Sequence, residues 1–313
     1  MRTRQRGIAL ITAVLVVALA TIAATAILVS ANIAIRRTGN LQESELAWWY
    51  GDGVESWVKS ILERDLDDNQ TDSLKDAWAQ PVDYLPVDEG AISGRVIDLQ
   101  GLYNLNNLGT PDPDEFQLQL KVFARLLSVI GVGDEFQAQG LASAIRDWID
   151  ADNEPTGFDG AEDTEYMGIE IPYRVPNQYM ASVSELLAVK GVTREIYDKL
   201  RPFVCAVPQT GVAVNVNTAP EPVLQALAAE SRPELDQFIA ERAQTPAESV
   251  QALYDKGVFV AQDPGAGMLG VSSAFFMSQV TLSIGSSRLT LYSFYFRPAG
   301  GIPAVYGRST GTE

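Results

Sequence analysis

The sequence predicts an α+β fold, in which a long N-terminal helix and a small antiparallel sheet carry a large inserted α-helical domain. Two observations lead to this prediction. An uncharged apolar run near the start of the chain passes into an amphipathic pattern. Strand patterns then stand on both sides of a long stretch with helical spacing. An insertion of helices between strands of one sheet explains that order simply.

The apolar run is long enough to cross a membrane. No residue from Ile8 to Ile35 is charged. A helix of this length would extend about 42 Å, more than the hydrocarbon core of about 30 Å. Arginines flank the run on both sides: Arg2, Arg4, Arg6, Arg36 and Arg37. The basic N-terminal side favours a cytoplasmic N-terminus, so we expect residues 8–35 to span the membrane and the rest to lie outside the cytoplasm.

Three interpretations of this segment differ in whether the apolar run is retained. A cleaved secretory signal has a shorter apolar core of about 7–15 residues. A single-pass anchor fits the length. A class III signal, the type found on pilins, has a short basic leader that is cleaved before the run, here residues 1–7 with the scissile bond between Gly7 and Ile8. The amphipathic continuation from Leu41 to Leu62 favours this third interpretation, and a plain anchor stays open.

Thr12 occupies the fifth position of the chain that would begin at Ile8. Pilin-like subunits usually carry Glu there, facing the N-terminal amine of a neighbouring subunit. An unpaired carboxylate in an apolar bundle costs several kcal/mol. A subunit with no neighbour ahead of it therefore does better without the Glu, which suits the tip of a filament. The same observation is also expected of a chain that is not a pilin.

The remaining chain divides into three parts by pattern. Residues 36–110 contain a polar surface loop around one short helix, over about 65–90, and a strand pair, GRVIDLQG and LYNLNNLG. Residues 111–265 keep helical spacing almost throughout and are predicted to form the inserted domain. Residues 266–313 contain two β-branched and aromatic runs joined at Gly285–Ser286, which predicts a hairpin.

Composition narrows the function. The formal net charge is -17, and an acidic surface repels phosphate backbones, so we expect no nucleic acid partner. There is no histidine, which removes the usual general base and the commonest transition-metal ligand. The single cysteine, Cys205, allows no internal disulfide. These properties favour a structural subunit over an enzyme.

A short internal repeat resembles the helix-hairpin-helix element. Leu126–Val132 is echoed by Leu186–Val192, each with a glycine where one helix would turn into the next. In DNA-binding proteins such turns direct backbone amides at phosphate. Asp134 and Glu135 follow the first turn here, which favours a purely structural helix pair. A membrane-anchored DNA-binding competence factor is the alternative.

An acidic block over residues 147–165 carries the densest chemistry of the chain. It contains Asp147, Asp150, Asp152, Asn153, Glu154, Asp159, Glu162, Asp163 and Glu165. Calcium takes six to eight oxygen ligands, and the lack of histidine favours such a hard cation over zinc or copper. The spacing does not fit the EF-hand, so a solvated acidic loop stays open. A periplasmic hydrolase using two of the carboxylates is disfavoured, because nothing in the sequence marks a sugar cleft.

Together these features resemble the K-type minor pseudopilins of the type II secretion system, the general secretion pathway protein K family. The resemblance covers most of the chain in the order of the family. It is carried by RGIALITAVLVVALAT with Thr12 in place of Glu, IRDWIDADNEP, GAED, VSELLAVKGV and VNVNTAPEPVLQAL.

The resemblance implies a pilin-like fold with an inserted helical domain, and a place at the tip of the pseudopilus for protein export. It implies assembly with the I-type and J-type minor pseudopilins and with the major pseudopilin. It also implies a single pass through the bacterial inner membrane, with the C-terminal domain in the periplasm. A prepilin peptidase would cut after Gly7 and methylate Ile8. A minor pilin that primes type IV pili is a nearer alternative, which the large insert disfavours.

The family also implies bound calcium. Carried onto the acidic block of this sequence, the resemblance predicts five carboxylate ligands. They are Asp150, Asp152, Asp159, Glu162 and Asp163.

Overall fold

The computed structural model describes residues 6–68 and 70–311, so residues 1–5 of the predicted leader lie outside the described part. The first helix, α1, runs from Arg6 to Asp68 and contains 63 residues, which corresponds to about 95 Å. Within the described residues it is the one helix long and apolar enough to cross a membrane. Its side chains from Ile8 to Ile35 are exposed, whereas those of Ala47, Val58 and Leu62 are buried against the rest of the protein.

The other elements follow in an order that places strands at both ends and helices between them. The described strands are β1 Val82–Val87, β2 Gly90–Asp98, β3 Tyr103–Asn104, β4 Val204–Cys205, β5 Val214–Asn215, β6 Leu269–Gly270, β7 Phe275–Ile284, β8 Ser287–Phe296 and β9 Ala304–Thr310. The described helices after α1 are α2 Pro113–Val129, α3 Glu135–Ile149, α4 Asp163–Tyr166, α5 Arg194–Leu200, α6 Glu221–Leu227, α7 Pro233–Glu241 and α8 Val250–Asp255.

Five strands form one antiparallel sheet in the order β1-β2-β7-β8-β9. Side chains alternate between its two faces, as the pleat requires. Leu282 and Ile284 of β7 are fully buried against α1 and its neighbours. Met277, earlier on the same strand, points to the opposite face and belongs to a separate cluster with Leu99 and Cys205. The hairpin predicted at Gly285–Ser286 is confirmed as the β7–β8 turn.

Polar contacts fix the position of α1 over the sheet. Glu43 accepts hydrogen bonds from the backbone N–H and the hydroxyl of Ser286, at 2.9 and 2.8 Å. Lower on the helix, the buried Glu55 accepts from the hydroxyl of Ser293 at 2.7 Å and from the guanidinium of Arg308 at 2.7 Å. Two strands are therefore tied to one helix by both apolar packing and charge-assisted hydrogen bonds.

The helical block has its own large core, built mainly from α2, α3 and α6. Leu105 and Leu108, which precede residue 111, are fully buried in this core. Met268 and Leu269, which follow residue 265, also belong to it. Two short parallel pairs, β3 with β4 and β5 with β6, connect the block to the ends of the sheet strands.

A buried hydrogen-bond network joins the sheet to the helical block. Asp98, at the end of β2, accepts from the amide of Asn215 at 2.9 Å and from the hydroxyls of Thr218 and Ser273 at 2.6 and 2.7 Å. Burial raises the pKa of Asp98 to about 6, against the opposing effect of these hydroxyl donors. Because its partners come from distant parts of the chain, this carboxylate fixes the block relative to the sheet.

The strand pair predicted for GRVIDLQG and LYNLNNLG is wrong. The strand β2 pairs with β1 and β7, while Leu105–Gly109 forms a 3₁₀-helix. The asparagines of this segment are buried and bond across the chain: the Asn106 amide donates to the carbonyls of Met180 and Val207, at 3.0 and 2.7 Å. The leucines of this segment therefore alternate with asparagines that bond to other segments, and this alternation of apolar and polar residues resembles the pattern of a strand.

The short helix predicted within the loop over 65–90 corresponds to a 3₁₀-turn, Ala77–Ala79. The same segment also contains the edge strand β1, which was not predicted and whose Pro86 lies opposite Ala91. Proline is tolerated at a sheet edge because its missing N–H need not enter a ladder. Within the predicted helical block, Val183–Ala188 forms a 3₁₀-helix, and the final strand β9 was not predicted.

Candidate metal centre and assembly helix

The acidic loop folds around Asp147, which lies on α3 and is fully buried. Its carboxylate accepts from the backbone N–H of Thr156 at 2.9 Å and of Ala161 at 2.6 Å. Gly160 allows this close approach, because a side-chain carbon there would collide with the Asp147 carboxylate and the backbone of Thr156. The loop thus curves over the end of α3.

Three of the five predicted ligands come together in this loop. Oxygen atoms of Asp150, Asp152 and Glu162 all lie within 4.8 Å of one another. Asp150 Oδ1 and both carboxylate oxygens of Glu162 are buried without a hydrogen-bond partner among the described residues. Glu162 is only 4% exposed, so its unpaired oxygens carry an unfavourable desolvation cost.

The surroundings of Glu162 and Asp150 disfavour the charged form of these carboxylates. Burial, together with the charges of Asp147 and Asp150, raises the pKa of Glu162 to about 7. Burial and the neighbouring Asp152 and Asp147 raise the pKa of Asp150 to about 6. Arg146 gives only weak compensation, since its Nε lies 3.8 Å from Asp150 Oδ2. A divalent cation would supply the missing positive charge, so the donor set fits a hard cation.

The other two predicted ligands are placed differently. Asp163 begins α4 and accepts from the backbone N–H of Val175 at 3.1 Å, with the guanidinium of Arg174 3.9 Å away. Asp159 is half-exposed and its side chain packs near Gly140. Neither belongs to the group of converging oxygens in the described structure. Their role as ligands stays a prediction.

One residue that contacts this loop was not predicted. Asn177 adopts a left-handed backbone conformation with φ of 47°, and its amide nitrogen donates to the Asp152 carbonyl at 2.7 Å. Its amide oxygen is buried without a partner among the described residues. The residue lies 25 positions after Asp152, and no local spacing marks it in the sequence.

A second group of carboxylates lies beneath the end of α1, formed by Asp65, Asp72 and Asp76. Here a protein cation is already present. The buried guanidinium of Arg297 is 3.1 Å from Asp65 Oδ2 and donates to Asp72 Oδ1 at 2.7 Å. Burial and the neighbouring Asp76 and Asp72 raise the pKa of Asp65 to about 7. This group is therefore an ion-pair junction between α1 and the sheet.

Thr12 satisfies its own polar group inside the apolar part of α1. Its hydroxyl donates to the carbonyls of Ile8 and Ala9, at 3.1 and 3.0 Å. Thr21 and Thr25 donate in the same way to carbonyls four residues earlier, both at 2.8 Å. No neighbouring chain is needed to satisfy Thr12, whereas a carboxylate at this position would need a cationic partner.

The two turns of the internal repeat contain Gly131 and Gly191, with φ of 68° and 81°. Basic residues beside the second turn are engaged by carboxylates. Lys190 Nζ lies 3.3 Å from Glu165, while Arg194 and Lys199 pair with carboxylates four residues away, at 3.0 and 2.9 Å. Phosphate would have to displace these partners, so the geometry favours a structural role for the repeat.

Two family models described as type II secretion system protein K match this chain, over residues 101–209 and 214–274. The type II secretion system protein K of Aeromonas hydrophila is 35% identical, covering 94% of this chain and 93% of the relative. That of Pseudomonas aeruginosa is 33% identical, covering 99% and 94%.

A solved structure agrees with these relatives. A chain in the crystal structure of the GspK–GspI–GspJ complex from the enterotoxigenic Escherichia coli type 2 secretion system is 28% identical. It superposes with a TM-score of 0.79 over 88% of this chain and 100% of that chain. The described fold and the full-length relatives thus lead to one conclusion: the chain belongs to the type II secretion system protein K family.

Proposed function

We propose that this chain, a minor pseudopilin of the type II secretion system, assembles through α1 with the other minor pseudopilins and caps the pseudopilus during protein export. The observation that carries the proposal is the division of α1. Its first half extends from the protein with exposed apolar side chains, while its second half is packed on the sheet. Such a half-free helix needs lipid or partner helices to cover it.

The related complex supports the choice of partners. The matched crystal structure is a complex of GspK with GspI and GspJ. We infer that this chain likewise binds I-type and J-type minor pseudopilins, with the major pseudopilin below them. The helix would hold the subunit in the inner membrane before assembly and exchange lipid contacts for helix contacts afterwards. The sheet and helical block would then lie in the periplasm.

Site-specific photo-crosslinking in secreting cells tests this assembly. A photoreactive residue at Trp49, which is 67% exposed on α1, should trap a minor pseudopilin partner. The same probe at Phe136, 70% exposed on the helical block, serves as a control for random encounters. If Trp49 traps no pseudopilin while secretion continues, the assembly role is wrong.

Processing by a prepilin peptidase is part of the proposal. Cleavage after Gly7 would leave a mature chain that begins at Ile8, where the described helix is already apolar and exposed. The peptidase would then methylate the new amine. Mass spectrometry of the mature N-terminus should find methylated Ile8. An intact Met1, or a terminus beyond Ile35, would contradict retention of the helix.

Calcium binding in the acidic loop is a separate proposal. The converging oxygens of Asp150, Asp152 and Glu162, and the unpartnered amide oxygen of Asn177, provide the donor types that calcium prefers. Bound calcium would supply the positive charge that offsets their mutual repulsion. Asp147 would act by holding the loop closed, since its oxygens already accept backbone N–H groups.

Thermal unfolding with and without a chelator tests the calcium site. Chelation should lower the Tm of the wild-type protein by several degrees, because binding stabilises only the folded state. In Glu162→Gln the effect of chelator should largely disappear. Asp83→Asn removes a carboxylate from the edge strand β1, far from the loop in sequence, and should respond like wild type. If chelator does not change the Tm of the wild-type protein, the loop binds no calcium and is a solvated acidic loop.

A further inference from the structure

Three carboxylates share one guanidinium beneath the end of α1. One oxygen atom each of Asp65, Asp72 and Asp76 lies within 4.8 Å of the other two. Asp65 and Asp72 are only 9% and 2% exposed. The guanidinium of Arg297, which is 3% exposed, donates to them at 3.1 and 2.7 Å. With all four groups ionised, the junction would hold two uncompensated negative charges in a largely buried site, and a bound proton relieves this repulsion.

The neighbouring ionisable side chains do not supply the missing positive charge. Lys75 donates to a backbone carbonyl at 3.1 Å, and Glu63 and Arg64 of α1 are exposed. The strand β7 and the 3₁₀-turn before β1, which also pack on α1, contain no acidic or basic residue. In β8, Arg288 lies at the far end, beside the hairpin. Burial raises the pKa of Tyr295, the tyrosine of β8 that faces α1, to about 12, so its phenol stays neutral near neutral pH.

Asp65 is the carboxyl group of the junction that is best placed to hold a proton. Burial raises its pKa to about 7, together with the charges of Asp76 and Asp72 and a hydrogen bond with Asp72. Asp72 is better supported as a carboxylate, because it accepts from Arg297 and from the backbone N–H of Ser273, both at 2.7 Å. Asp76 is less deeply buried than either of them.

The three groups nearest to this proton belong to different parts of the fold. Asp65 lies near the end of α1, Asp72 in the segment that follows the helix, and Arg297 directly after β8. We propose that the proton on Asp65 is a pH-sensitive switch at the contact between α1 and the sheet. While it is bound, the end of α1 is held on the sheet. When it is released to water, repulsion between Asp65 and Asp72 loosens the last turns of the helix. This inference does not depend on the filament-capping role, since it concerns contacts within one chain.

The direction of the pH effect follows from where the proton is bound. In the unfolded chain, Asp65 loses its proton near the ordinary pKa of 3.8, whereas the folded chain keeps it up to about pH 7. Between these values the folded state binds more protons than the unfolded state. The stabilisation by the bound proton is therefore complete below about pH 4 and is lost as the pH rises through about 7.

Hydrogen exchange of the full chain in lipid nanodiscs tests this switch. The readout is the opening equilibrium of backbone amides in residues 58–66, corrected for the intrinsic exchange rate at each pH. Asp65→Asn is neutral at every pH. Between pH 5 and pH 8, with chelator present, opening in the wild type should increase about tenfold or more relative to this variant, because each pKa unit corresponds to a factor of ten. Glu63→Gln, an exposed carboxylate of the same helix, should follow the wild type within about twofold.

A second variant keeps the test valid if Asp65→Asn does not fold. The charge of Asp76 helps to raise the pKa of Asp65, so Asp76→Asn should move the pH at which the helix end opens to a lower value. The inference is overturned if Asp65→Asn opens with the same pH dependence as the wild type, or if Asp76→Asn leaves that pH unchanged. It is also overturned if millimolar calcium, in place of chelator, returns wild-type opening at pH 8 to its value at pH 5 and leaves Asp65→Asn unchanged. That result would assign the junction to a cation instead of a proton.

Discussion

At the residue scale, the acidic loop depends on a contact that leaves no room for another atom. Gly160 lies against the Asp147 carboxylate and the backbone of Thr156. We expect Gly160→Ala to push the loop away from Asp147 at a cost of about 1–3 kcal/mol. If the loop binds calcium, the same displacement should separate the converging oxygens and reduce the affinity. Calorimetric titration with calcium would measure this.

Gly168→Ala provides the control for this substitution. A side-chain carbon at Gly168 would meet the Glu165 carbonyl at 3.5 Å, an ordinary contact. The variant should therefore keep the wild-type calcium affinity and Tm. Equal effects of the two substitutions would mean that the close approach at Gly160 is not what shapes the loop.

Arg297 is the residue on which the junction beneath α1 depends. It is 3% exposed, donates to the Leu62 carbonyl and to Asp65 and Asp72, and packs over the ring of Phe276. Arg297→Met should lower the free energy of unfolding by about 3–5 kcal/mol, because two buried carboxylates lose their counter-charge. Denaturant unfolding measures the loss.

The exposed Arg288 on the β7–β8 hairpin offers a matched substitution, since Arg288→Met removes the same group from the surface. We expect a change within about 0.5 kcal/mol. A small effect of Arg297→Met as well would show that the carboxylates are protonated or hydrated without the guanidinium.

At the scale of elements, the contact between α1 and the sheet should be sensitive to acid. Burial opposes the charge of Glu55, but hydrogen bonds from Arg308 and Ser293 outweigh it and lower its pKa below the ordinary 4.5. The stabilisation is therefore complete above about pH 5 and lost as the pH falls through the lowered pKa. Glu55→Gln should cost about 1 kcal/mol at pH 7, because Arg308 is half-exposed, and much less at pH 3.

Unfolding free energies at the two pH values measure this difference. Glu63→Gln alters an exposed carboxylate on the same helix and should show little change at either pH. A Glu55→Gln deficit that is equally large at pH 3 would mean that packing, and not charge, makes this contact.

The elements with strong periodicity could be predicted from the sequence, and those held by long-range pairing could not. Uninterrupted hydrophobic patterns in the sequence predict the apolar part of α1 and the β7–β8 hairpin. The edge strand β1 contains Pro86 and acidic residues, and its ladder exists only because β2 lies beside it. The Asn106 segment imitates a strand because its buried amides satisfy backbone groups from other parts of the chain.

The candidate metal site was predictable in composition but not in geometry. The sequence density of carboxylates identified the loop, and Asp150, Asp152 and Glu162 indeed converge. Which carboxylates turn inward depends on Asp147 and on the path of the loop around it. Asn177 contacts the loop through a hydrogen bond to the carbonyl of Asp152, 25 residues earlier, and residues so far apart leave no local signal.

At the scale of the whole molecule, the long helix divides the chain into an apolar stalk, the exposed part of α1 from Ile8 to Ile35, and a head, which comprises the sheet and the helical block. Glu43 and Glu55 connect the second half of α1 to the β7–β8 hairpin by hydrogen bonds, and Asp98 connects the sheet to the helical block in the same way. Rotation of the stalk should therefore carry the head with it. This coupling suits a cap, because the packing of neighbouring helices then determines where the head lies.

Position 12 tests whether the subunit stands ahead of all others. In a capping subunit, Thr12→Glu would place a carboxylate in an apolar environment with no amine in front of it, at a cost of several kcal/mol. We expect co-purification of the other minor pseudopilins with this variant to fall strongly. Thr12→Ser keeps a hydroxyl that can donate to the Ile8 and Ala9 carbonyls, as Thr12 does, and should assemble like wild type.

The opposite outcome has an equally definite physical meaning. If Thr12→Glu assembled as well as wild type, an amine would have to lie within reach of the new carboxylate, because only such a partner offsets its desolvation in the bundle. Another subunit would then stand above this one. Quantitative co-purification from membranes, with equal amounts of each variant in the input, distinguishes the two arrangements.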